Sequence, residues 1–254
     1  MAEAMKLAYA DRARWLGDPA FYAVPAAGLV SKEYAAKQRA KISDDRAAEV
    51  RHGVPPGAKE SGDTTHFSVV DPAGNAVSCT TTINSLFGSG MVVAGTGVLL
   101  NNEMDDFSAK PGVPNQFGLV GGEANAVAAG KRMLSSMTPT LVLRDGKLEM
   151  VLGSPGGGRI INTVLQVILN VVDHRLPLEH AVRAPRVHHQ WKPDHLFFER
   201  AGLSTDVREG LAKRGHRFAK RPMSIGRCQA IRILPDGTRI GVADPRSGGA
   251  AVAW

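Results

Sequence analysis

The sequence predicts an α+β fold in which layers of antiparallel sheet are covered by helices. Three features predict it: β-rich segments flank turn signals at three places, a strongly apolar helical stretch lies between the second and third of them, and shorter helical stretches carry their own start and stop residues.

In chain order, residues 3–16 are rich in alanine, with Met5, Ala8, Tyr9 and Leu16 at helical spacing broken only by Arg12, and Gly17 follows as a stop. A second helix is expected from a Ser31 cap to about Ile42. Between His52 and Asp63 lie Gly53, Pro55, Pro56, Gly57 and Gly62, which read as an exposed linker. Thr64 to Val70 and Ala76 to Thr82 then flank Asp71-Pro72-Ala73-Gly74-Asn75 as a first hairpin. Asp145-Gly146 between Thr140–Arg144 and Lys147–Leu152 signals a second. Gly156-Gly157-Gly158 opens the apolar helix, where Ile160, Ile161, Val164, Leu165, Ile168 and Leu169 are expected to form a wide buried stripe. A short helix should follow Pro177, and another should run from a Ser204 cap to Gly215. Gln229–Leu234 and Thr238–Ala243 flank Pro235-Asp236-Gly237 as the third hairpin.

Composition narrows the function classes. With 254 residues and 43% hydrophobic content, the chain can build one large domain or two small ones. The longest apolar run, Ile160 to Val172, is interrupted by Asn162, Thr163, Gln166 and Asn170, so no membrane span is expected. Met1 to Trp15 carries Glu3, Lys6, Asp11, Arg12 and Arg14, unlike an export signal. Cys79 and Cys228 are too few for a disulfide framework and read as buried apolar thiols. The net charge of +7 is concentrated late, with 13 Lys and Arg against 5 Asp and Glu over residues 183–239. Those charges are scattered without aromatic interleaving, which favours a solvated face or an acidic partner chain over nucleic acid.

Several catalytic patterns are absent. There is no Gly-x-Ser-x-Gly elbow, and Gly153-Ser154-Pro155-Gly156-Gly157-Gly158-Arg159 lacks the Gly-Lys-Ser/Thr of a phosphate loop. His188-His189 resembles a metal pair, but adjacent side chains diverge on a strand or a helix, so surface or packing histidines are expected, with no metal and no cofactor. Asp63-Thr64-Thr65-His66 remains, where the linker meets the first strand; taken alone, it is ordinary strand-forming sequence.

Seven stretches change its meaning. Thr64–Asp71 (Thr-Thr-His-Phe-Ser-Val-Val-Asp), Asn101–Ser108, Pro111–Asn115, Leu134–Pro139, Gly153–Gly157, Ala184–Trp191 and Asp244–Arg246 resemble, in this order, stretches of the gamma-glutamyltransferases. The resemblance implies an N-terminal nucleophile hydrolase with an αββα sandwich, whose precursor cuts itself at Asp63–Thr64. Thr64 would then be both nucleophile and, through its new α-amine of pKa about 7.7–8.0, candidate base. By the same resemblance Thr82 hydrogen-bonds the nucleophile and Asn84 touches substrate, Glu103 and Asp106 hold the donor's α-ammonium, and Ser135 and Ser136 receive its α-carboxylate. Gly156 and Gly157 form the oxyanion hole, and Phe117 is an aromatic gate on a lid of residues 111–122. Without it, Glu103 and Asp106 read as loop acids, Ser135-Ser136 as a turn, and Gly156-Gly157 as a tight strand-to-helix turn.

The resemblance also implies that residues 1–63 are the end of a large subunit with its linker and 64–254 the small, catalytic subunit. The sandwich is then incomplete, lacking most of the large subunit and its carboxylate-binding arginine; no local residue obviously replaces that arginine, and Arg132 or Arg159 would do so only if the chain alone were fully active. The implied partners are a gamma-glutamyl donor such as glutathione, water or an amino-acid or peptide acceptor, and the missing large-subunit segment. The chain itself does not give a compartment; the resemblance implies a periplasmic or secreted one. Two other readings stay open: a non-catalytic fragment or binding subunit, and a cephalosporin-type acylase.

Overall fold

The computed structural model describes residues 1–50 and 64–253. In chain order the elements are α1 (Ala2–Trp15), α2 (Ala26–Leu29), α3 (Lys32–Arg39), β1 (Thr64–Val70), β2 (Ala76–Thr82), β3 (Thr140–Arg144), β4 (Lys147–Gly153), α4 (Ile160–Val172), α5 (Leu178–Arg183), β5 (Val187–His188), β6 (Phe197–Phe198), α6 (Thr205–Lys213), β7 (Gln229–Ile233) and β8 (Arg239–Ala243). Short 3-10 helices cover Glu103–Asp106, Glu123–Asn125 and Gly157–Arg159. The α+β class is as expected, and the expected linker lies outside the described residues. The chain divides into two compact units: Met1–Glu60, Glu103–Ser135 and Val187–Met223 form the first, and Ser61–Asn102, Ser136–Arg186 and Ser224–Trp254 the second.

The second unit is layered. β3-β4-β7-β8 form one antiparallel sheet and β1-β2 a separate hairpin. Strand alternation turns Met150, Leu152 and Ala230 toward α4 and α5, where they meet Ile160, Val164, Val167, Val171, Leu178, Ala181 and Val182 in the core. The opposite face of the larger sheet meets β1 and β2 through polar contacts. Ser78 Oγ donates to the Leu152 carbonyl at 2.9 Å, and His66 Nδ1 lies 2.7 Å from Thr80 Oγ1 across the hairpin. His66 crosses so close to β4 that a Cβ on Gly153 would sit 2.2 Å from its ring, so only glycine fits there. The outer face of the hairpin bears Phe67, Val69 and Val77, all exposed. Helix, sheet and hairpin are thus three consecutive layers of the expected sandwich.

Two expectations need correction. The buried face of α4 is not the all-aliphatic stripe: Ile160, Asn162, Thr163, Val164, Gln166, Val167 and Val171 are buried, whereas Leu165 is 40% exposed. The polar members can turn inward because Thr163 Oγ1 donates to the Arg159 carbonyl and Gln166 Nε2 to that of Asn162. Cys79 is only half-buried, since it sits on the two-stranded hairpin; Cys228 is fully buried, and both are free.

In the first unit, α1 buries Met5, Leu7, Tyr9 and Ala13, and also Glu3 and Lys6. Ser31 caps α3 as expected, accepting from the Tyr34 amide at 3.1 Å. Tyr34 Oη and Gln38 Nε2 both donate to the Asp11 carboxylate, tying α3 to α1. His188 and His189 are buried, which decides for packing over surface; no group of His, Cys, Asp and Glu among the described residues could hold a metal ion. No helix among them is long and apolar enough to cross a membrane.

Candidate active site

Thr64 is the first described residue of β1 and pairs with Thr82 at the end of β2. Its Oγ1 donates to Thr82 Oγ1 at 3.2 Å, and the same Thr82 oxygen accepts from the Asn84 amide at 2.8 Å. Asn84 holds a positive φ of 75° and is buried, its side-chain amide donating to the Asn102 carbonyl at 3.3 Å. Thr64, Thr82 and Asn84 therefore form one hydrogen-bonded corner. Asp63 lies outside the described residues. Beside this corner, Thr64–Ser68, Pro155, Arg227, Gln229, Ser247 and Gly249 line a cleft of about 380 Å³.

Gly156 and Gly157 occupy the turn from β4 into α4 with φ of 139° and 54°. Gly156 lies where L side chains rarely go, and a Cβ there would stand 3.3 Å from Gly226 Cα. The Arg159 and Ile160 amides are already bonded to the Gly156 and Gly157 carbonyls within this turn, so an oxyanion here would have to use amides that precede them. Behind the turn, Arg227 N donates to Ser154 Oγ at 2.8 Å. Arg186 reaches the Ile225 carbonyl at 2.9 Å and Asp244 Oδ2 at 2.8 Å, which also accepts from the Cys228 amide. Burial pushes the Cys228 thiol up to about 12, so it carries no thiolate at neutral pH. Ser136 also belongs to this unit.

Glu103, Asp106, Phe117 and Ser135 belong to the first unit. Glu103 and Asp106 share one 3-10 helix. Burial raises both carboxyl pKa values, and Asp106 reaches about 7 because the Glu103 and Asp105 charges add to burial against the opposing pull of Arg12. Arg12, Asp106, Asn115 and Asn125 line one small pocket. Asn125 fixes its floor: Nδ2 donates to the Asp106 carbonyl at 2.7 Å, and Oδ1 accepts from the Leu134 amide, just before Ser135. Residues 111–122 close on themselves through Gly112 N to Gly121 O and Asn115 N to Leu119 O. Phe117 is buried within them, and its carbonyl accepts from Gln190 Nε2 at 3.0 Å.

Arg132 is committed to Asp18, with Nη2 at 3.0 Å and Nε at 3.3 Å from its carboxylate, and Arg159 Nε points back to the Gly156 carbonyl at 3.4 Å. Arg12, His66 and the Arg186–Asp244 pair carry no role in the sequence reading. Arg12 did leave a trace there, as the charge that interrupts an otherwise apolar helical spacing.

Known proteins resemble this chain over most of its length. The family model described as gamma-glutamyltranspeptidase matches residues 1–254. The glutathione hydrolase proenzyme of Escherichia coli K12 is 52% identical over 250 residues, 97% of this chain, and the chain spans only 43% of that proenzyme's length. A gamma-glutamyltranspeptidase from Pseudomonas nitroreducens, solved with L-DON, superposes with a TM-score of 0.71 at 50% identity, covering 75% of this chain and 99% of that one. A cephalosporin acylase from Bacillus halodurans superposes with a TM-score of 0.83 at 28% identity, over 100% of this chain and 44% of that one. A match over its full length, with relatives more than 50% identical, places the chain in the gamma-glutamyltranspeptidase family of N-terminal nucleophile hydrolases.

Proposed function

We propose that the chain hydrolyses gamma-glutamyl amides such as glutathione, or transfers their gamma-glutamyl group to an amino acid or peptide, through an ester on Thr64. The observation that carries this reading is the Thr64–Thr82–Asn84 corner, with its 3.2 Å bond between the two hydroxyls. A threonine hydroxyl needs a base, and cleavage at Asp63–Thr64 supplies one within the same residue, an α-amine with a pKa of about 7.7–8.0. Before cleavage, Thr64 Oγ1 attacks the Asp63 carbonyl, the amide C–N bond breaks as the Thr64 nitrogen takes up the proton, and water opens the resulting ester to free the Asp63 carboxylate and the Thr64 hydroxyl. Afterwards, the same oxygen attacks the donor's gamma-carbonyl, the Gly156–Gly157 turn receives the oxyanion, and the leaving amine takes the proton. Water or an acceptor amine then releases the gamma-glutamyl group. Glu103 and Asp106 are assigned to the donor ammonium, Ser135 and Ser136 to its carboxylate, and Phe117 to the gate.

The division at 63/64 has a second support. The Pseudomonas chain covers 75% of this one, and residues 64–254 are the same share of the sequence. Intact-mass measurement tests the cleavage: a chain of 191 residues beginning at Thr64 should appear, and Thr64→Ala should stay whole. Efficient cleavage of that variant at the same bond would end the assignment.

A second reading, a chain inactive until a companion segment covers it, is favoured by the exposed Phe67, Val69 and Val77 on the outer face of the hairpin. Comparing gamma-glutamyl anilide hydrolysis by the chain alone and after co-expression with a large-subunit segment separates the two readings. Full turnover by the chain alone excludes the companion.

A further inference from the structure

The turn that carries Asn84 is one that chains rarely adopt. Asn84 has a φ of 75°, and the Ser85 amide donates across it to the Ile83 carbonyl at 3.2 Å. The three residues thus form a γ-turn of the strained kind, with its central residue in the left-handed region. Asparagine tolerates that region better than most residues, yet such a conformation persists only where its surroundings hold it. Strand pairing does not hold it, because β2 ends at Thr82. Apolar packing of the chain that follows gives little help, since Leu86, Phe87, Met91, Val92, Val98 and Leu100 are all exposed.

Asn102, at the far end of that stretch, commits every polar group it has to the turn. Its amide donates to the Ile83 carbonyl, and its carbonyl accepts from Asn84 Nδ2, both at 3.3 Å. Its Oδ1 accepts from the Ser85 amide at 3.0 Å, and its Nδ2 donates to Ser85 Oγ at 2.9 Å. The two side-chain bonds are the shorter ones. The bond to the Asn102 carbonyl also fixes which way the Asn84 side-chain amide lies. The Asn84 backbone amide in turn reaches Thr82 Oγ1, the acceptor of Thr64 Oγ1. All of these residues belong to the second unit. Asn102 lies in the Asn101–Ser108 stretch, where the sequence reading gives roles only to Glu103 and Asp106.

We propose that Asn102 is a positioning residue for the gamma-glutamyl donor: its side chain clamps the Ile83–Ser85 turn and so presents Asn84 to the substrate. The proposal rests on the reading of Thr64 as nucleophile and Asn84 as substrate contact. Asn84 meets the donor before the chemical step as well as during it, so loosening the turn weakens donor binding more than it slows chemistry. Self-cleavage uses the Thr64–Thr82 bond and no donor, so it is nearly indifferent to Asn102.

Three variants test it. Asn102→Ala removes both side-chain bonds and leaves both backbone bonds. Asn102→Asp keeps the shape and both contacts, because the Ser85 hydroxyl can turn from acceptor to donor. Ser85→Ala removes one contact, and it stays informative if Asn102→Ala fails to fold. Kinetics are read on the matured chain, with a large-subunit segment co-expressed if turnover requires it. From two neutral hydrogen bonds, KM for a gamma-glutamyl anilide should rise about ten-fold in Asn102→Ala, about three-fold in Ser85→Ala and less than about two-fold in Asn102→Asp. In all three, kcat and the rate of self-cleavage should stay within about two-fold of the parent. Hydrogen exchange at the Ser85 amide should speed up at least about ten-fold in Asn102→Ala, with α4 amides unchanged. An unchanged KM in Asn102→Ala refutes the proposal, and equal losses of self-cleavage and donor use make Asn102 structural. If the parent never hydrolyses the anilide, or Thr64→Ala does so as well, the Thr64 reading fails and the positioning role with it. Exchange at Ser85 then still decides whether Asn102 clamps the turn.

Discussion

The Arg186 guanidinium meets the Asp244 carboxylate at 2.8 Å with 1% and 0% of the two side chains exposed. Arg246 flanks the same carboxylate, Nη1 to Oδ1 at 3.0 Å. Removing one partner of such a pair leaves a buried charge uncompensated. Asp244→Asn should therefore lower stability by about 3–5 kcal/mol, read as a fall in the urea midpoint at constant m-value. A loss below about 1 kcal/mol would mean that water reaches Arg186.

Thr82 accepts from both Thr64 Oγ1 and the Asn84 amide. Thr82→Val keeps the shape and deletes the oxygen. A neutral hydrogen bond contributes roughly 0.5–1.5 kcal/mol, so self-cleavage and anilide hydrolysis should each slow by up to about ten-fold. Equal rates in variant and parent would show that the 3.2 Å contact has no part in orienting the nucleophile.

The first hairpin shows how much was legible in the sequence. Its strands, Thr64–Val70 and Ala76–Thr82, coincide with the segments that β-propensity and the Asp71–Asn75 turn mark out, because local residues alone decide such a turn. The buried face of α4 was less legible. Thr163 and Gln166 look like solvent positions until the carbonyls they reach are known. Arg186 was invisible for the same reason, since its partner lies 58 residues away. The short α2 carries too little periodicity to announce itself.

Asp106, raised to about 7 by burial and the charges of Glu103 and Asp105, gives a pH prediction. Only the ionised carboxylate pairs with an ammonium, so affinity for an unreactive gamma-glutamyl analogue should rise as pH climbs through about 7. Asp106→Asn should flatten that rise and weaken binding by about 2–5 kcal/mol, with much less effect on self-cleavage. Isothermal titration between pH 5.5 and 8.5 measures the first effect and intact mass the second. Loss of binding and cleavage together would make Asp106 structural.

The pKa of His66 moves the other way. Burial lowers its pKa to about 4 from the ordinary 6.5, so the folded chain resists protonating it. Its contribution is complete above pH 6.5 and is lost as pH falls toward 4, a change of about 3 kcal/mol. His66→Gln should flatten the stability profile over that window in urea titrations. A profile unchanged by the substitution would assign acid lability elsewhere.

The polar groups of the seam between the two sheets of the second unit, where His66, Ser68, Ser78 and Thr80 meet the β4 and β7 strands beside buried Val151, also have a thermal consequence. Hydrating apolar surface raises the heat capacity of the unfolded chain by about 0.45 cal/K/mol per Å², whereas hydrating polar surface lowers it by about 0.26. A seam of hydroxyls and an imidazole therefore subtracts from the heat-capacity increment that curves a protein's stability with temperature. Compared with an oily seam of equal area, it makes that curve flatter and moves cold denaturation to lower temperature.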